Sequence, residues 1–314
     1  MVDIDIEEVG QKWKNSAKNE IEFLFGKFDN LKVVFTKNFD NFVEDIFKEK
    51  GLEYSYSSMH IGGEVVVCKT MHYQSNNQLK TCLIINGNSS FFSEFEDGVT
   101  KVNRFHCLLH EREHILLDKK KYVLSGHDKF FSEPKTKTEI VFELAHDVSN
   151  EYLAERNAIT ILLGIIDGDS SDYFISLSKR VEDVLLTYLK SFPRFLKINL
   201  TKVKTRRANI KDVWWTIYLA TRDTLNLLAL NTAHCDALPS ISSKFNKLKE
   251  NQTYSQVFNQ TWNPAKKILK GFFESQKFER EKMMDIALKF ENIFLSFGIE
   301  LFDSHSGLIV KVSK

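Results

Sequence analysis

The 314-residue chain carries no surplus of either charge: 43 Lys and Arg stand against 42 Asp and Glu, a formal net charge of +1. A protein drawn to nucleic acid or to an anionic membrane by its overall field needs a marked excess of one sign, so any partner here is engaged through a local site. No apolar run is long enough to span a bilayer. The opening stretch MVDIDIEEVGQKWKN is acidic and has no apolar core, so it does not read as a secretory signal. Cysteine is sparse as well. Cys68, Cys82, Cys107 and Cys235 show no C-x-x-C spacing and are too few for a disulfide-stapled domain. A reducing cytoplasm is the expected location. Internal repeats and low-complexity tracts are also missing.

What is present suits a globular chain of one large or two modest domains. Residues 7–50 set apolar side chains among charged ones at helical spacing, which predicts two helices with a break around DNLK. The β-branched GGEVVVCKTMHYQ and LKTCLIING flank the polar cluster SNNQ, predicting a hairpin that ends near Gly87. A helix is expected from about Val99 to about Leu117, then a polar loop holding Pro134, then a second helix from near Thr138 to DGDSSD. Beyond residue 170 the chain reads as helical packing elements, closing in a small hairpin around Ser304 to Gly307. The expected domains are 1–168 and 169–314.

Within RFHCLLHEREHILL, residues 110–114 spell H-E-R-E-H. Residues four apart lie on one face of an α-helix, so His110 and His114 can aim two imidazoles at one ion, with the Glu111 carboxylate beside them. That is the arrangement of a zinc hydrolase: two neutral His ligands, a position for water, and a base for the water's proton. The pattern alone arises by chance in roughly two of a hundred chains of this composition, so a third ligand downstream decides the matter. NEYLAERNA supplies a candidate. Glu151 and Glu155 are four apart, with small Ala154 and Ala158 nearby; Glu151 is expected to bind the metal and Glu155 to orient a ligand histidine through its ring N–H.

These residues resemble the zincin core of the ImmA/IrrE-like metallopeptidases, whose pattern runs R-F-x-x-x-H-E-x-x-H-x-L-L and then E-x-x-A-[DN]-x-x-A. Arg104, Phe105, His110, Glu111, His114, Leu116, Leu117, Glu151, Ala154 and Ala158 fall in step. Glu113 stands where that family commonly has Gly, and Glu155 where it has Asp or Asn. The likeness covers roughly residues 60–165. It implies an α+β fold: a zincin-like core with a small, mainly antiparallel sheet, the HExxH helix and a second ligand helix, followed by a mostly helical C-terminal region. It further implies a zinc peptidase that cuts one regulatory protein, such as a transcriptional repressor.

Other residues invite functional readings. His106 continues the four-residue step before His110, but three rings on one straight helix do not converge on a tetrahedral ion, so packing is expected. Cys107 is expected to be a buried apolar residue, with an inhibitory zinc thiolate as the sharper alternative. His127, His146, Tyr152, Arg206, Arg207 and Tyr218 are conceivable oxyanion donors. The basic run TKVKTRR reads as a solvated loop, and neither direct nucleic-acid binding nor membrane attachment is expected. LKTCLIING is expected to be the edge strand that pairs with a substrate chain. The rival to an enzyme is a catalytically silent zinc sensor or interaction module of the same fold, or a structural zinc whose fourth position is closed by His106 or Cys107.

Overall fold

Two short segments on either side of a helix begin the sheet. The computed structural model describes residues 2–6, 11–49, 68–75, 78–87, 98–125, 134–165, 171–239, 247–304 and 307–313. In it, strand β1 (Asp3–Ile6) and strand β2 (Leu31–Thr36) are joined by helix α1 (Gln11–Phe25). The strands pair in parallel with Ile4 opposite Val33. Parallel neighbours require a crossover connection, and α1 is that crossover. Helix α2 (Phe39–Glu49) follows, then the hairpin strands β3 (Cys68–Ser75) and β4 (Gln78–Asn86). β4 pairs in parallel with β2 and antiparallel with β3, giving the order β1-β2-β4-β3.

The protein is therefore α+β, as expected, but its sheet is mixed rather than mainly antiparallel. The break expected near DNLK is the start of β2. LKTCLIING is an interior strand, not an edge. Its residues 81–86 are all buried, because a strand flanked on both sides and covered on both faces needs apolar residues facing both ways.

The two faces of the sheet are occupied by different helices. Val34, Met71, Cys82 and Ile84 pack with Phe39 and Val43 of α2. Each such fully buried side chain contributes about 1.5–3 kcal/mol. Side chains alternate along a strand, so Cys68, Thr70 and His72 face the other way, where helix α3 (Gly98–Ser125) meets them. Three contacts join the two elements: Cys68 Sγ to Cys107 Sγ at 3.6 Å, Thr70 Oγ1 to Glu111 Oε2 at 2.6 Å, and His72 Nε2 to Asp118 Oδ2 at 3.0 Å. Steps of two along β3 meet steps of four and seven along α3, so one strand face reads one helix face. α3 is also tied to α1. Arg104 donates two hydrogen bonds to Glu20, and Arg112 Nε donates to the carbonyl of Leu24 in the last turn of α1, which the helix itself leaves unpaired.

The chain falls into two compact units, residues 1–121 with 161–165 and residues 122–160 with 166–314. In the second, residues 137–160 of helix α4 (Lys137–Ile165) bury Ile140, Leu144, Val148, Leu153 and Ile159 together with Val141, Tyr152 and Ala158. A helix apolar on nearly all sides is a core helix. Around it come α5 (Ser171–Lys204), α6 (Ile210–Ala237), the single turn α7 (Lys247–Glu250), a π-helical turn at Tyr254–Phe258, α8 (Asn259–Ser275) and α9 (Arg280–Ser296). Trp214 of α6 stacks edge-on with Phe294 of α9, and Trp262 of α8 lies over Phe290. The hairpin β5 (Ile299–Ser304) and β6 (Gly307–Val312) forms as expected.

Candidate metal centre

The HEREH turn lies in the middle of α3 and is helical throughout. Its charged residues are distributed by role. Arg112 and Glu113 pair with each other, Glu113 being buried, while Arg112 also holds the end of α1. This pair is structural. His110 and His114 instead turn their rings toward each other, edge to face, with centroids 4.5 Å apart and the two Nε2 atoms 2.8 Å apart.

Two imidazole nitrogens this close cannot both carry a proton, so the arrangement leaves at least one Nε2 lone pair in the gap. Two nitrogens on one tetrahedral zinc, at Zn–N distances of about 2.05 Å, stand about 3.3 Å apart, so a small spreading of the rings converts this contact into a ligand pair. Glu151, expected from the sequence as the third ligand, is carried by α4. Two imidazoles and a carboxylate are residue types of a donor set used by catalytic zinc, so the expected ligands suit a divalent metal chemically.

Glu111 sits beside this pair, and its Oε2 accepts the hydroxyl of Thr70 at 2.6 Å. A charge-assisted bond of that length fixes the carboxylate and leaves Oε1 as its second acceptor. Thr70 was not legible as a site residue. Its only trace in the sequence is its place in the alternation Cys68, Thr70, His72.

Glu155 orients the ring of His234: Nε2 lies 2.5 Å from Glu155 Oε1, and Nδ1 lies 2.8 Å from Ser178 Oγ. All three side chains are buried, which makes this a polar brace between α4, α5 and α6. His106 is buried. Cys107 meets Cys68. The hydroxyl of Tyr152 donates to Asp236 and accepts from Arg156, and burial, followed by the Asp236 charge, raises its pKa far above the ordinary value. A tyrosine so engaged is not poised to serve an oxyanion. Arg206 and Arg207 are exposed in the turn between α5 and α6, as a solvated loop should be. His127 lies outside the described residues.

A second donor group, Glu143, His146 and Asp147, lies on one face of α4. The ring of His146 stacks on Phe278. Tyr218 and Arg222 of α6 face these carboxylates: Asp147 and Glu143 help burial to raise the Tyr218 pKa, while Asp223 and Asp147 outweigh burial to raise that of Arg222. The acidic pair thus already has a cation beside it.

Compared with known protein families, curated proteins and solved structures, the chain matches none of them.

Proposed function

We propose that the protein is a zinc-dependent metallopeptidase that hydrolyses a peptide bond in a specific protein substrate. The observation that carries this reading is the approach of the His110 and His114 Nε2 atoms to 2.8 Å, with Glu111 held beside them by Thr70. His110, His114 and Glu151 would hold the metal. Zinc there supplies a Lewis acid that lowers the pKa of water toward about 7. Glu111 accepts the water's proton at Oε1 and passes it to the leaving nitrogen of the cleaved bond. Thr70 keeps the other oxygen of that carboxylate occupied, so the base does not rotate away from its task.

The sheet order favours β3 as the strand that receives substrate. Among the described residues β3 pairs only with β4, so its outer edge offers backbone donors and acceptors to an extended chain. The same strand carries Thr70, two residues from Cys68. The resemblance to the ImmA/IrrE-like peptidases favours a regulatory substrate, such as a transcriptional repressor, over general digestion. No helix among the described residues is long and apolar enough to cross a membrane. The four described thiols are free, which suits a reducing cytoplasm.

Metal analysis of the purified chain tests the proposal. One equivalent of zinc is expected in the wild type and in Glu111→Gln, and almost none in His110→Ala or His114→Ala. Zinc-free wild type, or full zinc in both histidine variants, contradicts it.

A further inference from the structure

We propose that Cys68 and Cys107 form a peroxide-sensitive dithiol that closes to a disulfide between β3 and α3. Their sulfurs are 3.6 Å apart, already in contact, and the residues are separated by 39 positions in the chain. A disulfide requires about 2.05 Å, so the sulfurs must approach by roughly 1.5 Å, which side-chain rotation with a small shift of an edge strand can provide. Among the described residues this is the only contact between cysteine sulfurs, and Cys82 packs on the opposite face of the sheet, against α2.

The two thiols are also unequal. Cys107 is half-buried and Cys68 is buried. Burial pushes the Cys68 thiol well up, and the adjoining Cys107 sulfur and the Glu111 charge push the same way. Cys107 is therefore the attacking sulfur and Cys68 the resolving one. The Cys107 thiolate attacks one oxygen of hydrogen peroxide, the O–O bond breaks, and the products are a sulfenic acid and, after protonation, water. The Cys68 sulfur then attacks the sulfenic sulfur; the S–S bond forms and the hydroxyl leaves with the Cys68 proton as a second water. Two thiols are oxidised by two electrons and one peroxide is reduced, so the balance closes.

The location gives the bond a consequence. Cys107 is one turn before Glu111 on α3, and Cys68 is two residues before Thr70 on β3, so the disulfide would join the same two elements next to the Thr70–Glu111 hydrogen bond. The inference does not depend on the metallopeptidase reading, and its test uses no activity.

The reduced, desalted protein is treated with a slight molar excess of hydrogen peroxide, denatured, and alkylated. Before oxidation four thiols take the label; afterwards two are expected to, with a protein lighter by two hydrogen atoms and a Cys68–Cys107 linked peptide that dithiothreitol separates. Cys68→Ser should leave a sulfenic acid on Cys107 that dimedone traps. Cys107→Ser should leave all remaining thiols unoxidised over the same time. Retention of four labelled thiols in the wild type, or a linked peptide containing Cys82 or Cys235 instead, overturns the proposal.

Discussion

Arg104 provides the sharpest test of how α3 is held in place. Its side chain is 1% exposed and makes two hydrogen bonds of 2.7 Å, from Nε to Glu20 Oε2 and from Nη2 to Glu20 Oε1, while Glu20 is 12% exposed. This is the bidentate fork in which guanidinium and carboxylate planes match. Changing Arg104 to Met keeps most of the volume but leaves the largely shielded carboxylate without its cation, at a cost of up to about 3–5 kcal/mol. Replacing both residues, as in Glu20→Leu with Arg104→Met, removes the orphaned charge and should recover most of that loss, giving a coupling energy of at least about 2 kcal/mol. Tryptophan fluorescence mixes the two units, since Trp13 belongs to the first and Trp214, Trp215 and Trp262 to the second. Amide hydrogen exchange in β2 and β4 reports the first unit directly. At about 1.4 kcal/mol per tenfold change, Arg104→Met should speed exchange there by roughly two to three and a half orders of magnitude. Acceleration below tenfold, or a double variant no slower to exchange than the single one, would refute the reasoning.

Other predictions concern the remaining buried groups and the site. Burial raises the Cys82 pKa to about 11, with Lys32 pulling weakly the other way. The folded state therefore holds the proton more tightly, and stability fully present below about 9 should fall by up to about 1.4 kcal/mol per pH unit between about 9 and 11; Cys82→Ala should flatten that part of a denaturation series. Glu155→Ala strands the buried His234–Ser178 pair and should cost about 3 kcal/mol in urea unfolding of the second unit, whereas Ser178→Ala should cost only about 1 kcal/mol. Equal costs would show that the brace is not organised around the carboxylate. Thr70→Val should lower turnover about tenfold, the loss of one hydrogen bond to a charged group worth roughly 1.5 kcal/mol, with Thr70→Ser restoring it and zinc content unchanged throughout.

The legibility of the molecule follows its interaction ranges. HEREH could be read because helical spacing alone juxtaposes His110 and His114. The hairpin β3–β4 could be read because its strands are adjacent in the chain. β2 could not, since the six residues LKVVFT are almost entirely buried and show no alternation, and a short apolar run between two amphipathic helices has no period to distinguish strand from helix. The interior position of β4 did leave a trace, the unbroken run CLIIN, which suits a strand covered on both faces better than an edge. α5 runs on through Pro193, although proline removes a backbone donor and favours a stop. The partners of Glu155, Thr70 and Cys107 lie 79, 41 and 39 residues away, and no local pattern encodes contacts of that range.

The central claim is that Glu111 performs hydrolysis at a zinc held by its neighbours, and it is tested most directly by mapping new protein N-termini in cells producing the wild type or Glu111→Gln at equal levels. One or a few N-termini present only with the wild type, with zinc bound in both proteins, is the predicted result. Identical sets of N-termini from the two, with zinc bound in both, would contradict the account.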